Sequence, residues 1–217
     1  MPGQACRIRG IIFDMDGTLY VCDAFAATIQ AAAEHYIAGL SGVSITSASL
    51  LIARTRAELS AESGGVVTLS AVCTELGGNI RDLHDFFERY LHPEKYLTRN
   101  EQVVTLMTAL AAQFPLYIYT NNNRNLTGRI LKLLGLEGLF RHIYTIDDDW
   151  KAKPDEVILD LILAEAGLEP PQALFVGDRY DVDLRLPEQR GCPVYLSQSV
   201  EQLLRLVEIL DHSSGVR

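Results

Sequence analysis

The chain has 217 residues and a formal net charge of −9. That length suits one core domain of ordinary size with a modest insertion. The acidic balance argues against nucleic acid or an anionic membrane surface as the main partner, and no apolar run is long enough to span a bilayer. Cys6, Cys22, Cys73 and Cys192 show no CxxC or metal-ligand spacing. Reduced thiols are therefore expected, and with no signal peptide in the N-terminal stretch a cytoplasmic location follows.

Ile8 to Phe13 is a short apolar run, β-branched at three positions, and reads as a strand buried on both faces. It ends in Asp14-Met15-Asp16-Gly17-Thr18. The C-terminal edge of an open α/β sheet is where ligands bind. Two aspartates so close repel each other unless a cation lies between them or one is protonated. The pair needs a functional explanation.

Asp23 is placed to cap a helix whose apolar stripe is Phe25, Ile29, Ala32, Ala33, Tyr36 and Leu40. A break at 39–44 precedes a second helix, from Ser47 to about Ser63, bounded by Gly64-Gly65. Leu69 to Leu76 marks a short helix, and Ile80 to Leu91 a well-defined amphipathic one. Residues 21–97 thus form an all-helical block, read as an inserted cap domain, with 1–20 and 98–217 as the core domain.

Thr98-Arg99-Asn100-Glu101 has the capping-box pattern and starts the next helix. The second strand, Leu116 to Tyr119, runs into Thr120-Asn121-Asn122-Asn123, and a helix follows from Asn125 to Leu134. The third strand, His142 to Ile146, leads to Asp147-Asp148-Asp149, read as a solvated loop. Pro154, after Lys153, sits at the first turn of a helix through Val157, Ile158, Leu161 and Ile162. Ala173 to Val176 is the fourth strand and ends in Gly177-Asp178-Arg179-Tyr180-Asp181-Val182-Asp183. Pro193 to Leu196 is the fifth, and Val200 to Leu210 a closing helix. The alternation predicts an α/β fold with a doubly wound, parallel, five-stranded (Rossmann-like) sheet.

The unusual polar residues all follow strands. Asp14-Met15-Asp16-Gly17-Thr18-Leu19 resembles the first motif of the haloacid dehalogenase-like hydrolases. Thr120, Lys153 and Gly177-Asp178 with Asp183 resemble the second, third and fourth motifs, in order. The resemblance implies that Asp14 is a nucleophile forming an aspartyl-phosphate and that Asp16 is its general acid and base. It implies Mg²⁺ held by the Asp14 carboxylate, the Asp16 backbone carbonyl and Asp178, with Asp183 supporting from behind or through water. Asp181 is the alternative to Asp183. Thr120 and Lys153 are the implied phosphate-binding residues, and Asn121 is assigned a phosphate-side role beside them against a reading of the three asparagines as turn formers.

Dehalogenases of the family lack the second aspartate, so Asp16 favours phosphoryl transfer over carbon–halogen cleavage. Too few residues separate Thr120 from Lys153 for a cap inserted there, whereas 21–97 matches the helical cap type that selects small substrates. The resulting expectation is a Mg²⁺-dependent phosphomonoester hydrolase for a small phosphorylated metabolite, as a monomer or homodimer. A phosphomutase and a non-catalytic phosphate-metabolite-binding protein are the alternatives. Arg54, Arg56 and Arg81 are the cap's candidates for substrate contact, with one expected to govern affinity, against a reading of all three as surface charges. On a helix, Arg54 and Arg56 lie about 200° apart, so at most one can face the site.

Overall fold

The computed structural model describes residues 8–214; Cys6 lies outside the described residues. Five parallel strands form one sheet in the order β3-β2-β1-β4-β5: β1 Gly10–Phe13, β2 Leu116–Tyr119, β3 His142–Tyr144, β4 Ala173–Gly177 and β5 Val194–Leu196. Reversal of strand order on either side of β1 makes that strand's C-terminal end the switch point where a crevice opens. β1 is buried throughout, with Ile11 and Phe13 in one apolar cluster and Ile12 in another on the opposite face. A strand that supplies both clusters has no room for polar residues, which explains its continuous apolar run.

Register aligns the functional ends. Phe13 pairs with Ile118 on β2 and with Val176 on β4. The residues one step beyond, Asp14, Tyr119 and Gly177, therefore leave the sheet level with one another. Tyr144 of β3 pairs with Tyr119 and carries the third loop to the same edge.

The expected cap is four helices: α1 Asp23–Ser41, α2 Ile45–Ser63, α3 Leu69–Glu75 and α4 Ile80–Tyr90. Phe25, Ala32, Ala33 and Ile37 of α1 meet Ala48 and Ile52 of α2, Val72 and Cys73 of α3, and Leu83 and Phe87 of α4 in one core. The core helices are α5 Glu101–Ala111, α6 Arg124–Leu134, α7 Glu156–Ala166, α8 Arg185–Gln189, α9 Val200–Leu204 and α10 Leu206–Ser214. No single helix among the described residues is long and apolar enough to cross a membrane.

Several boundaries differ from the sequence reading. α1 runs through Gly39 and stops at Gly42, whose φ of 65° suits the left-handed stop better than any residue with a Cβ. Asp23 is inside α1; the cap position belongs to Cys22, which makes no side-chain cap bond. Asn100, not Thr98, caps α5, accepting from the amides of Gln102 and Val103 at 3.0 and 3.4 Å. Asp155 caps α7, accepting from Ile158 N at 3.0 Å, so Pro154 lies outside the helix. In both cases a planar acceptor next to the first turn displaces the weaker signal. The closing helix is two helices, α9 and α10, divided at Arg205.

The acidic run is also ordered. Asp147 accepts from Arg124 N at 3.1 Å, and Asp148 takes Thr145 N at 2.7 Å and pairs with the Arg124 guanidinium. It ties β3 to the start of α6 instead of lying free in solvent.

Candidate active site

Two glycines let the motif loops close on one another. Gly17 has φ of 87°, and a Cβ there would lie 2.4 Å from Asp178 Oδ2. The Asp178 carboxylate rests against the space a side chain would fill. Gly177 does the same for Asp183, whose Cβ would be 2.5 Å from a Cβ at 177. Any larger residue at either place forces the loops apart.

Asp14 is buried at 5% exposure, beside Lys153 and Asp183. Lys153 Nζ lies 2.5 Å from Asp14 Oδ1, 2.6 Å from Asp183 Oδ1 and 3.0 Å from the Tyr119 carbonyl. Its backbone amide donates to Asn121 Oδ1 at 2.7 Å, which fixes the lysine loop to the end of β2. The Thr18 hydroxyl reaches Asp14 Oδ2 at 3.2 Å. Burial and the nearby Asp183 charge push Asp14 up to about 7, outweighing the attraction of Lys153. Lys153 goes above its ordinary value: burial opposes its charge, but Asp14 and Asp183 more than compensate. One lysine does not neutralise this many carboxylates.

Carboxylate oxygens of Asp14, Asp178 and Asp183 all lie within 4.8 Å of one another. Burial, with Asp183 adding to it, raises Asp178 to about 6 against the pull of Arg179. Among the described residues, Asp178 Oδ1 is buried without a hydrogen-bond partner, with Arg179 Nε at 3.6 Å. An orphaned carboxylate oxygen among two other carboxylates fits a hard divalent cation. Both oxygens of Asp183 are already engaged, one by Lys153 and the other by Arg179 N at 3.1 Å. Those bonds fit Asp183 to a supporting place behind the other two. Burial would raise its pKa, but Lys153 and Arg179 hold it low.

The spacing of the fourth motif has a structural cause. Tyr180–Leu184 is a π turn closed by Arg185 N on the Tyr180 carbonyl, and it takes up one more residue than an α turn. Asp183 consequently faces Asp14, while Asp181 faces the cap and accepts from Val66 N at 3.1 Å.

These four strand ends carry the whole motif set in one place. A family model for haloacid dehalogenase-like hydrolases matches residues 8–186. The chain is a haloacid dehalogenase-like hydrolase. A pyrophosphatase PpaX of Bacillus pumilus is 29% identical over 80% of this chain and 76% of its own length. A phosphoglycolate phosphatase of Shigella boydii is 30% identical over 86% of this chain and 79% of its own. The solved putative HAD-hydrolase YfnB of Bacillus subtilis, bound to magnesium, has a TM-score of 0.59 at 20% identity, covering 94% of this chain and 99% of that one. That last likeness supports the fold.

In this hydrolase, Asp16 is held differently from Asp14. Its carboxylate accepts from the Tyr20 hydroxyl and from Asn122 Nδ2, the latter at 2.5 Å. Burial raises its pKa, although both hydrogen bonds favour the charged form and pull the other way. The Asp16 carboxylate is not among the three that lie within 4.8 Å of one another. Thr120 is buried directly after β2 and its hydroxyl accepts from Asn122 N at 3.2 Å, so it also shapes the turn that aims Asn122.

Cap and core enclose a cavity of about 350 Å³. Asp16, Gly17, Asn121, Asn122, Asp178 and Arg179 come from the core side, and Phe25, Ile29, Thr68, Ser70, His84 and Phe87 from the cap. The cap is held closed by three further contacts. Asn123 Nδ2 donates to the His84 carbonyl at 3.2 Å, Arg129 to the Leu91 carbonyl at 3.0 Å, and the Arg81 guanidinium lies 5.0 Å from the Trp150 ring centroid.

The cap arginines correct the sequence reading. Arg54 pairs with Glu58 at 3.5 Å on the exterior, Arg56 donates to Gln30 at 3.1 Å, and Arg81 stacks on Trp150. None lines the cavity. The cation that does is Arg179, from the fourth motif itself. Sequence reasoning also missed Tyr20, Asn122 and His84 as site residues. Tyr20 directly follows the first motif string and Arg179 stands inside the fourth, and that adjacency was the available signal; His84 had none.

Proposed function

We propose that this hydrolase is a Mg²⁺-dependent phosphomonoesterase acting on a small phosphorylated metabolite through an aspartyl-phosphate intermediate. One observation carries the reading: two aspartates two residues apart are held in opposite ways. Lys153 and Thr18 fix Asp14, and Tyr20 and Asn122 fix Asp16. The names of the curated relatives support hydrolysis of phosphoryl compounds, with phosphoglycolate as a candidate ester and pyrophosphate, an anhydride, as a candidate outside that class.

An Asp14 oxygen attacks phosphorus, and the bond from phosphorus to the ester oxygen breaks. Protonated Asp16 gives its proton to that oxygen, and the alcohol leaves. Asp16, now ionised, takes a proton from water, whose oxygen attacks phosphorus. The bond to Asp14 breaks and inorganic phosphate departs. Lys153 keeps the attacking carboxylate oriented and offsets part of the phosphoryl charge. Thr120 and Asn121 are assigned to the same phosphoryl group, on the side away from the carboxylates. Mg²⁺ held by Asp14, Asp178 and the Asp16 carbonyl would neutralise phosphoryl charge, with Asp183 supporting. The closed cap keeps bulk water from the acyl phosphate.

The test is a panel of phosphate esters with and without Mg²⁺, following both free phosphate and isomerised product. Phosphate release that depends on Mg²⁺ and is abolished by Asp14→Asn is expected. Isomerisation with little phosphate release would replace the reading by a phosphomutase.

A further inference from the structure

Arg179 is the one Lys or Arg side chain lining the cavity among the described residues. His84, also in the wall, is held neutral because burial lowers it to about 4. The remaining lining is apolar, neutral, or the acidic Asp16, Asp23 and Asp178. An anionic substrate entering this space meets a single cation.

The guanidinium is only loosely paired. Its Nε lies 3.6 Å from Asp178 Oδ1 and 3.8 Å from Asp183 Oδ2, both beyond hydrogen-bond length. Among the described residues the side chain makes no hydrogen bond, and it is 40% exposed. An arginine whose task was to neutralise these carboxylates would place its fork on them at about 2.7–2.9 Å. Lys153 already does that for Asp14 and Asp183. Arg179 makes only these loose ion pairs with the acids, and its side chain belongs to the cavity wall. A planar fork of this kind matches the two oxygens of a carboxylate or phosphate.

Building on the phosphomonoesterase reading, we propose that Arg179 is the specificity-determining residue. It receives a second anionic group of the substrate, a few bonds beyond the transferring phosphoryl group. The substrate class is a small phosphate ester with a distal oxyanion. The apolar wall from Phe25, Ile29 and Phe87 contacts the carbon chain between the two groups. The cavity of about 350 Å³ suits a molecule of a few carbons.

Three esters of equal chain length test this: 3-hydroxypropyl phosphate, 3-phosphonooxypropanoate and propane-1,3-diol bisphosphate. Their affinities are measured by calorimetry with Mg²⁺ on the Asp14→Asn protein, which binds without turnover, and on the same protein carrying Arg179→Gln or Arg179→Lys. At least one of the two charged esters should bind roughly 10- to 100-fold tighter than the hydroxyl ester, the range expected for hydrogen bonds between charged partners. The better one tells whether carboxylate or phosphate is the natural oxyanion. Arg179→Gln should cost the charged esters at least about tenfold more affinity than it costs the hydroxyl ester, and so erase the preference, and Arg179→Lys should keep part of it. No preference, or an equal loss on all three esters in Arg179→Gln, overturns the assignment. Turnover of the same esters by the unsubstituted enzyme is scored separately. An affinity split without turnover removes the phosphatase reading and leaves Arg179 standing; turnover without a split does the reverse.

Discussion

The amide Nδ2 of Asn122, at the end of β2, donates to Asp16 Oδ2, at the end of β1, at 2.5 Å. With the Tyr20 hydroxyl on the other oxygen, it fixes the orientation of the carboxylate proposed as the general acid. Asn122→Ala should lower turnover of an alkyl phosphate by about 10- to 100-fold, part of the roughly 100- to 10,000-fold ascribed to a positioned general acid that the substitution misaligns without removing. Loss on p-nitrophenyl phosphate should be smaller, because that leaving group departs without a proton. The measurement is the dependence of kcat/KM on leaving-group pKa. An unchanged dependence would count against Asp16 as the acid.

The proposed cation role of Asp178 and the cap contact of Asp181 are separable by substitution. Mg²⁺ should raise the melting temperature of the unsubstituted protein, and Asp178→Asn should abolish that response. The same substitution should stabilise the metal-free protein at pH 8, on the order of 1 kcal/mol, because it removes a charge that burial disfavours. Asp181→Asn should keep the full Mg²⁺ response, since that carboxylate faces Val66 of the cap. A lost response in Asp181→Asn would reverse these roles.

Gly17→Ala is small on paper and severe here. The left-handed φ alone costs about 1–2 kcal/mol, and the new Cβ would strike the Asp178 carboxylate. Expected are a lower denaturant midpoint and a lost thermal response to Mg²⁺. A variant that keeps that response would show that the motif-one loop has more slack than its geometry allows.

His84 gives a pH dependence of defined sign. Burial lowers its folded pKa from 6.5 to about 4, so between those values the unfolded chain binds the extra proton. Its contribution to stability is complete above pH 6.5 and is lost as the pH falls towards 4, by about 2 kcal/mol at pH 5. Asp14 and Asp178, raised by burial, act in the opposite direction over part of this range. The check is therefore a comparison with His84→Leu: urea midpoints at pH 7.5 and 5 should fall more in the unsubstituted protein. Equal falls would refute the buried neutral imidazole.

The sheet was legible chiefly because β1, β2 and β4 are unbroken apolar runs, and the loops after the strands carry Asp14, Asp16, Lys153 and Asp178. The cap's helices were legible from periodicity, but which side chains face the cavity was not. Arg81 and His84 lie on the same short helix, and only the packing of that helix against Trp150 decides that the imidazole enters the wall while the guanidinium stays out. Asn122 was hidden among three consecutive asparagines with separate tasks. Asn121 holds the Lys153 loop, Asn122 holds Asp16, and Asn123 caps α6 while gripping the cap. A turn-forming type repeated three times carries no signal that distinguishes them.

Trp150 is the only tryptophan in the sequence, and its indole lies on the seam, touched from the cap by Arg81 and His84. A guanidinium over one side of an indole and an imidazole at its edge alter the polarity that the excited ring experiences. Hinge opening would exchange both for water. The molecule thus carries its own optical gauge of lid position, readable by stopped-flow emission without a dye. Its amplitude should vanish in Trp150→Phe while α4 keeps its seat through Asn123.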